Sequence, residues 1–154
     1  MNKTPWMKVI TICLMFFFTY FSFAQNENSI SFNETGELKY KFKDFEGALK
    51  DYNESIKLNP ENTDAYYNRG IVRYKLNDFD GAVTDFKKAI KNYTAAIELN
   101  PKDDEAYNQR GRVKYELEDN FEEAVKDYNK AIELNPKNVD AYCNRGYIYY
   151  FFGE

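Results

Sequence analysis

The chain has 154 residues, with 21 Lys and Arg against 25 Asp and Glu, a formal net charge of −4, two Cys and no His. This composition argues against a His-based catalytic triad, a His-rich metal site, a disulfide-framed miniprotein and a basic nucleic-acid-binding protein. Hydrophobic residues make up 44% of the chain and charged residues 30%, as in an ordinary globular domain.

The first two dozen residues, 1–24, have the pattern of a secretory signal peptide. Lys3 and Lys8 precede an apolar stretch from Val9 to Phe23 that contains no charged residue. A basic start and an apolar middle of about fifteen residues are typical of such a leader. We expect cleavage near Ala24/Gln25 and an exported product, either periplasmic or secreted. The alternative is an uncleaved membrane anchor, although the stretch is shorter than the roughly 20 residues that span a bilayer.

The remaining residues, 25–154, consist of a repeated unit. Three Asn-Pro pairs end the related strings DYNESIKLNP, NYTAAIELNP and DYNKAIELNP, and the strings AYYNRG, AYNQRG and AYCNRG recur with them. Four glycines mark the period, namely Gly36, Gly70, Gly111 and Gly146, which are 34, 41 and 35 residues apart. We divide the region into repeats at about 29–62, 63–103 and 104–138 and a partial fourth repeat at 139–154.

Each repeat predicts a pair of α-helices. In the second repeat, the run that begins at Thr63 contains no Pro, Asn77 can end the first helix in a left-handed conformation, and Asp78 can cap the second helix. The same repeat contains an insertion of seven residues, which is close to two helical turns. We therefore predict that the insertion lengthens one uninterrupted helix from about Gly81 to Leu99, rather than forming a surface loop.

Aromatic, Gly, Ala, aromatic, Ala and Pro residues recur in this order along the repeats. The pattern resembles that of the tetratricopeptide repeat family. The resemblance covers about residues 29–154 and implies an all-α, right-handed superhelix of helix-turn-helix repeats, three of them complete, followed by the first helix of a fourth. The sequence departs from the family at Lys39, Arg73 and Lys114, where the family usually has Tyr.

Six charged residues recur with the repeat. An Arg precedes the glycine of the second, third and fourth repeats, and an Asp lies on the second helix of the first three. Pairing each Asp with the Arg of the next repeat uses all six residues, whereas pairing within repeats leaves two without a partner. We therefore predict structural inter-repeat ion pairs between Asp51 and Arg69, Asp85 and Arg110, and Asp127 and Arg145.

The resemblance also implies that the first helices line a concave groove in which a partner binds. Residues that share one helix face at i, i+4 and i+7 spacing are the candidate protein-binding residues. They are Asn33, Glu37, Tyr40, Tyr67, Ile71, Tyr74, Asn108, Arg112, Tyr115, Tyr147 and Tyr150, with Cys143 opening the last set. The final Tyr of each set would form a stripe suited to a peptide, and the alternative is that these rings pack between repeats. Family members that grip an acidic C-terminus use Lys and Asn, a clamp that Asn33 and Glu37 do not supply.

These features predict an exported, non-enzymatic scaffold that binds a protein or peptide, without cofactor, metal or nucleic acid. The sequence has no phosphate-binding Gly loop and no metal-spaced Cys or His cluster. Two alternatives remain, namely the N-terminal repeat region of a longer enzyme or signalling protein, and an envelope structural protein held by its anchor. The period calls for a second helix after YIYYFFGE, so we expect either a longer protein or an apolar end that docks onto a partner or a second copy.

Overall fold

The computed structural model describes residues 5–117 and 121–153, and all regular secondary structure within them is α-helical. The helices are α1 Pro5–Lys41, α2 Phe45–Leu58, α3 Thr63–Lys75, α4 Phe79–Leu99, α5 Asp104–Tyr115, α6 Phe121–Leu134 and α7 Val139–Phe152. The predicted all-α order of three helical hairpins and one further helix is therefore confirmed. Lys3 of the predicted signal peptide, residues 118–120 of the predicted third repeat and Glu154 lie outside the described residues.

The chain divides into two compact units, a first unit Met1–Asn62 and a second unit Thr63–Glu154. The first unit contains the hairpin of α1 and α2. The first helix predicted for repeat one forms the C-terminal part of α1, which continues without a break through Ala24 and Gln25. Among the helices of the described segments, none combines the length and the apolar character needed to cross a membrane. Cleavage and export stay predictions.

The turn between α3 and α4 has the predicted form. Asn77 has a left-handed backbone with φ of 62°, and the N–H of Asp78 donates to a carbonyl oxygen in the last turn of α3. The carboxylate of Asp78 then accepts a hydrogen bond from the N–H of Gly81 at 3.0 Å. Asp78 therefore closes one helix with its backbone and caps the next with its side chain.

The seven-residue insertion forms part of one continuous helix, as predicted, because α4 runs uninterrupted from Phe79 to Leu99. The added turns give α4 a second inward aromatic residue, Tyr93, seven residues after Phe86. The hydroxyl of Tyr93 donates to Oδ1 of Asp64 at 2.7 Å. The insertion thus ties the C-terminal half of α4 to the first turn of α3.

An aromatic ring of the second helix covers the glycine of the first helix in each complete hairpin. The pairs are Gly36 with Tyr52, Gly70 with Phe86 and Gly111 with Tyr128, and a Cβ on the glycine would lie 2.6, 2.5 and 2.7 Å from the ring. All three rings are buried. The glycines are therefore needed because a side chain at this position would occupy the space of the ring.

The ion pairs of the second unit form inside hairpins, so the predicted pairings of Asp85 with Arg110 and of Asp127 with Arg145 are wrong. Nη2 of Arg69 lies 2.7 Å from Oδ1 of Asp85, and Nη2 of Arg110 lies 2.6 Å from Oδ1 of Asp127. The Arg directly precedes the covered glycine, and the Asp directly precedes the covering ring. Since the two helices are antiparallel, these neighbours meet at the same level of one hairpin.

Pairing within hairpins leaves over Asp51 and Arg145, and both have other partners. Asp51 forms an ion pair with Lys39 at 2.7 Å, within the first unit. Arg145 donates through Nη1 to the amide oxygen of Asn129 at 2.6 Å, rather than to Asp127. Pairing within hairpins therefore leaves neither residue without a partner, because a Lys and an Asn side chain contact them.

A cation three residues after the glycine of the first helix contacts the buried Asp in every complete hairpin. The N···O distances are 2.7 Å from Lys39 to Asp51, 2.8 Å from Arg73 to Asp85 and 2.9 Å from Lys114 to Asp127. These cations occupy the positions at which the resembling family usually has Tyr. The chain has a cation instead of Tyr at these positions because each cation pairs with a carboxylate on the facing helix.

Candidate functional site

Four of the candidate groove residues meet in one pocket of the second unit. The pocket has a volume of about 160 Å³ and lies among residues of α3, α5, α6 and α7 and the C-cap of α5. We call it the tyrosine pocket, and its lining residues are Tyr67, Arg112, Tyr115, Glu116, Tyr128, Asn144 and Tyr147. Among these, Tyr67, Arg112, Tyr115 and Tyr147 are predicted groove residues.

Arg112 is held in place at one side of the tyrosine pocket. Its guanidinium carbon lies 4.9 Å from the centroid of the Tyr67 ring, a cation–π contact. Nη2 donates to the hydroxyl of Tyr67 at 3.4 Å, and Nη1 donates to Oε1 of Gln109 at 2.6 Å. The stacking and the two hydrogen bonds fix the guanidinium plane, so Arg112 presents a positioned cation rather than a mobile one.

Glu116 supplies a carboxyl group to the same pocket. It follows the last residue of α5, and its Oε1 accepts a hydrogen bond from the hydroxyl of Tyr67 at 3.3 Å. Burial raises the pKa of Glu116 above its usual value, although the Tyr67 hydrogen bond and the charge of Arg112 oppose the rise. Burial also raises the pKa of Tyr67, which therefore stays protonated and able to donate at neutral pH.

Phenol rings and one amide also line the pocket. The rings of Tyr115 and Tyr147 meet edge to face, with centroids 5.8 Å apart. Nδ2 of Asn144 donates to Oδ1 of Asn108 at 3.1 Å. Asn108 is fully buried, and its Nδ2 has no hydrogen-bond partner among residues 5–117 and 121–153. Asn108, a predicted groove residue, thus contacts the lining residue Asn144 and does not itself line the pocket.

The predicted tyrosine stripe mainly packs at the hairpin turns. Tyr40, Tyr74 and Tyr115 contact the Phe that opens the next helix, at centroid distances of 5.7 Å to Phe45, 5.3 Å to Phe79 and 5.5 Å to Phe121. Tyr150 is 82% exposed and contacts Phe151. Of these four tyrosines, Tyr115 alone lines the tyrosine pocket.

The remaining candidate residues lie elsewhere. In the first unit, Asn33 is buried and donates to Oε1 of Glu37 at 2.9 Å. In the second unit, Ile71 packs against the core cluster that contains Phe86 and Val113. Cys143 is exposed. These residues are not part of the tyrosine pocket.

Three lining residues were not among the candidates, namely Glu116, Tyr128 and Asn144. Glu116 lies one position beyond the i, i+4, i+7 set of α5, and the hydrogen bond from Tyr67 draws it in. The ring of Tyr128 covers Gly111, and the same residue lines the pocket. Asn144 precedes Arg145 and lies one position beyond Cys143. The repeated AYxNRG string is the signal that could have identified Asn144.

The described residues contain no group of three or more His, Cys, Asp or Glu side chains that could hold a metal ion. The tyrosine pocket holds one cation, one carboxyl group, four phenols and one amide. These groups can donate and accept hydrogen bonds and can pack against an apolar side chain.

Two family models match the chain. One is described as TPR repeat and matches residues 36–77, 85–118 and 118–151, which is more than half of the chain, and the other is described as tetratricopeptide repeat and matches residues 63–92. The chain belongs to the tetratricopeptide repeat family. The hairpins of α1 to α6 are its complete repeats, and α7 is the first helix of a further repeat.

Solved structures of other tetratricopeptide repeat domains are similar to this one. The first such domain of Spaghetti (RPAP3), bound to the HSP90 peptide SRMEEVD, is 25% identical, with a TM-score of 0.53 over 82% of this chain and 94% of that chain. The Arabidopsis OM64 TPR domain is 30% identical, with a TM-score of 0.52 over 80% and 96%. The first TPR domain of human RPAP3 is 25% identical, with a TM-score of 0.53 over 80% and 91%. A search of curated proteins gives no match.

Proposed function

We propose that this tetratricopeptide repeat protein is a non-enzymatic scaffold that binds a peptide segment of a partner protein. The main support for this proposal is the tyrosine pocket. It brings together four residues of the predicted binding face with positioned hydrogen-bonding groups. The likeness to the RPAP3 domain, which binds an HSP90 peptide, supports a peptide ligand. A volume of about 160 Å³ is below the roughly 300–1,000 Å³ typical of small-molecule sites. It suits one inserted side chain of a longer peptide.

The chemistry of the pocket favours an apolar or aromatic side chain flanked by peptide backbone. Among the described residues, Arg112 is the one cation that lines the pocket, and it already contacts Tyr67 and Gln109. Glu116 brings a carboxyl group beside it, which disfavours a second carboxylate from a ligand. The ligand therefore differs from an acidic C-terminus such as SRMEEVD. The hydroxyls of Tyr115 and Tyr147 and the amide of Asn144 can bond its backbone.

Alanine substitutions on two neighbouring tyrosines of α7 test this assignment. Tyr147 lines the pocket and is 50% exposed, whereas Tyr150 lies three residues on, is 82% exposed and does not line it. We expect Tyr147→Ala and Arg112→Ala to lower the affinity for the partner at least tenfold, since truncation of aromatic and Arg anchors costs about 2 kcal/mol or more. The measurement is quantitative pull-down from the source organism's proteins, followed by titration with the captured partner.

Tyr150→Ala serves as the matched control and should bind like the wild type. Each variant is first checked for an unchanged circular dichroism spectrum and melting temperature. Equal capture of the partner by Tyr147→Ala, Arg112→Ala and the wild type would remove the tyrosine pocket from the proposal.

We also propose that the chain is exported and cleaved near Ala24/Gln25. The support is the basic start and the uncharged apolar stretch of residues 9–23. N-terminal sequencing of the protein recovered outside the cytoplasm should begin at Gln25. A product that retains Met1 would instead indicate an uncleaved anchor.

A further inference from the structure

The carboxyl group of Glu116 has one oxygen in use and one unused in the tyrosine pocket. Its Oε1 accepts a hydrogen bond from the hydroxyl of Tyr67 at 3.3 Å, whereas its Oε2 accepts none from any residue that the structure describes. A carboxylate can accept several hydrogen bonds through its two oxygens. Glu116 therefore has the capacity to bind an O–H or N–H group that enters the pocket.

The charges of the pocket favour a neutral ligand group. Burial raises the pKa of Glu116, whereas the hydrogen bond from Tyr67 and the charge of Arg112 lower it and favour the carboxylate. A cationic side chain would be attracted by Glu116 but repelled by Arg112, and the reverse holds for an anionic one. The group that suits Oε2 is therefore an uncharged hydrogen-bond donor.

The volume of the tyrosine pocket suits one six-membered ring. The pocket measures about 160 Å³, and an engineered cavity of about 150 Å³ in an unrelated protein binds benzene. The indole of a Trp side chain has two fused rings and is larger. The side chains of Ser, Thr and Asn are smaller and would leave part of the space unfilled, which loses dispersion contacts.

The lining of the pocket offers aromatic neighbours to such a ring. Its four tyrosines are Tyr67, Tyr115, Tyr128 and Tyr147. The rings of Tyr115 and Tyr147 already meet edge to face at a centroid distance of 5.8 Å, an arrangement that aromatic pairs prefer. Tyr147 is 50% exposed, so a ligand ring can reach it from solvent.

We propose that the tyrosine pocket binds a tyrosine side chain of the partner peptide, and that Glu116 determines this specificity. The phenol ring packs among the four tyrosine rings, and its hydroxyl donates to Oε2 of Glu116. This inference rests on the peptide-binding function proposed above and adds which side chain the peptide inserts. A partner segment must therefore present an accessible tyrosine.

Tyrosine and phenylalanine ligands differ only in the hydroxyl, and two kinds of pocket rank them in opposite order. A purely apolar pocket binds phenylalanine more tightly, because the tyrosine hydroxyl loses its hydrogen bonds to water there. A pocket with an unused carboxylate oxygen binds tyrosine more tightly, because phenylalanine leaves that oxygen without a donor. The order of the two affinities therefore tests the role of Glu116.

The test compares N-acetyl-tyrosinamide, N-acetyl-phenylalaninamide and N-acetyl-tryptophanamide as ligands of the full chain. Each places one side chain between two amide groups, as in a peptide. NMR titration at millimolar concentrations suits ligands this small, and the Nε–H signal of Arg112 reports binding in the pocket. We expect the tyrosine amide to bind about fivefold more tightly than the phenylalanine amide, the scale of one net hydrogen bond. The tryptophan amide should bind more weakly than the tyrosine amide because of its size.

Glu116→Gln should remove most of this preference. Glutamine keeps the shape and an acceptor oxygen, but it lacks the charge that strengthens the hydrogen bond. We expect the tyrosine amide to lose affinity severalfold, whereas the phenylalanine amide, which makes no such bond, should bind nearly as before. Glu133→Gln is the matched control, because Glu133 is an exposed acid of α6 outside the pocket, and it should alter neither affinity. The comparison of the three amides needs no variant, so it holds even if Glu116→Gln is unstable.

The results separate failure of this inference from failure of the proposed function. If the phenylalanine amide binds as tightly as the tyrosine amide, or if Glu116→Gln weakens both equally, the inference is overturned but the pocket still accepts a peptide side chain. Tighter binding of the tryptophan amide also overturns the inference, since the occupant is then an indole. Absence of saturable binding by all three amides overturns both the inference and the assignment of the pocket as a peptide site.

Discussion

Replacing Asp85 by Asn is expected to lower the free energy of unfolding by about 3–5 kcal/mol, the range for breaking a buried ion pair by removing one partner. The Asp85 side chain is 2% exposed and contacts two guanidinium groups, at 2.7 Å to Arg69 and 2.8 Å to Arg73. Asn keeps the shape but removes the charge. Two partly buried cations then face each other without a carboxylate between them, and their mutual repulsion and desolvation are no longer offset.

Urea denaturation followed by circular dichroism measures this effect. Asp80→Asn is the matched control, because Asp80 is an exposed acid in the first turn of the same helix and its loss should cost less than about 1 kcal/mol. Added salt should change the difference between the variants little, since a buried pair is screened weakly. A loss of under 1 kcal/mol for Asp85→Asn would show that the Asp85 ion pairs do not stabilise the hairpin of α3 and α4.

The substitution Gly111→Ala is expected to destabilise the chain by about 1–3 kcal/mol, the usual cost of overpacking a core. The added Cβ would lie 2.7 Å from Cε1 of Tyr128 and 3.2 Å from the backbone oxygen of Ala124. The ring is buried and the oxygen belongs to helix backbone, so neither can move away without disturbing α6. This cost exceeds the gain of about 0.5–1 kcal/mol that Ala normally gives over Gly inside a helix.

The same change at the corresponding position of α7 should have the opposite sign. Gly146→Ala meets no atom within 4 Å, so only the helix preference remains and the variant should gain about 0.5–1 kcal/mol. Thermal melts of the two variants beside the wild type test both signs in one experiment. A loss of stability in Gly146→Ala would mean that a ring already covers this glycine in solution.

The helical hairpins could be predicted because their signals are local. The period of the glycines, the left-handed turn at Asn77, the cap at Asp78 and the uninterrupted α4 each depend on residues close together in sequence. Helix caps and helical periodicity act over one or two turns, which a sequence displays directly. The seven-residue insertion kept the apolar face of α4 in line for the same reason.

The ion pairs and the pocket could be predicted only in part, because they depend on the level at which two helices meet. Four of the six recurring charges form ion pairs with one another, namely Arg69, Asp85, Arg110 and Asp127. Arg69 and Asp85 nevertheless pair within one hairpin, because a glycine and a ring set the register between α3 and α4. Likewise, Tyr67 and Arg112 were selected from the face of each helix, whereas Glu116 enters the pocket through a hydrogen bond from another helix.

The sequence by itself determined which segments are helices, where the turns lie and which residue types repeat. The tertiary structure alone decided which cation meets each Asp and which tyrosines share a pocket. The physical reason is that helix formation is governed by neighbours along the chain, while side-chain partners are chosen by the packing of rings against backbones from distant segments.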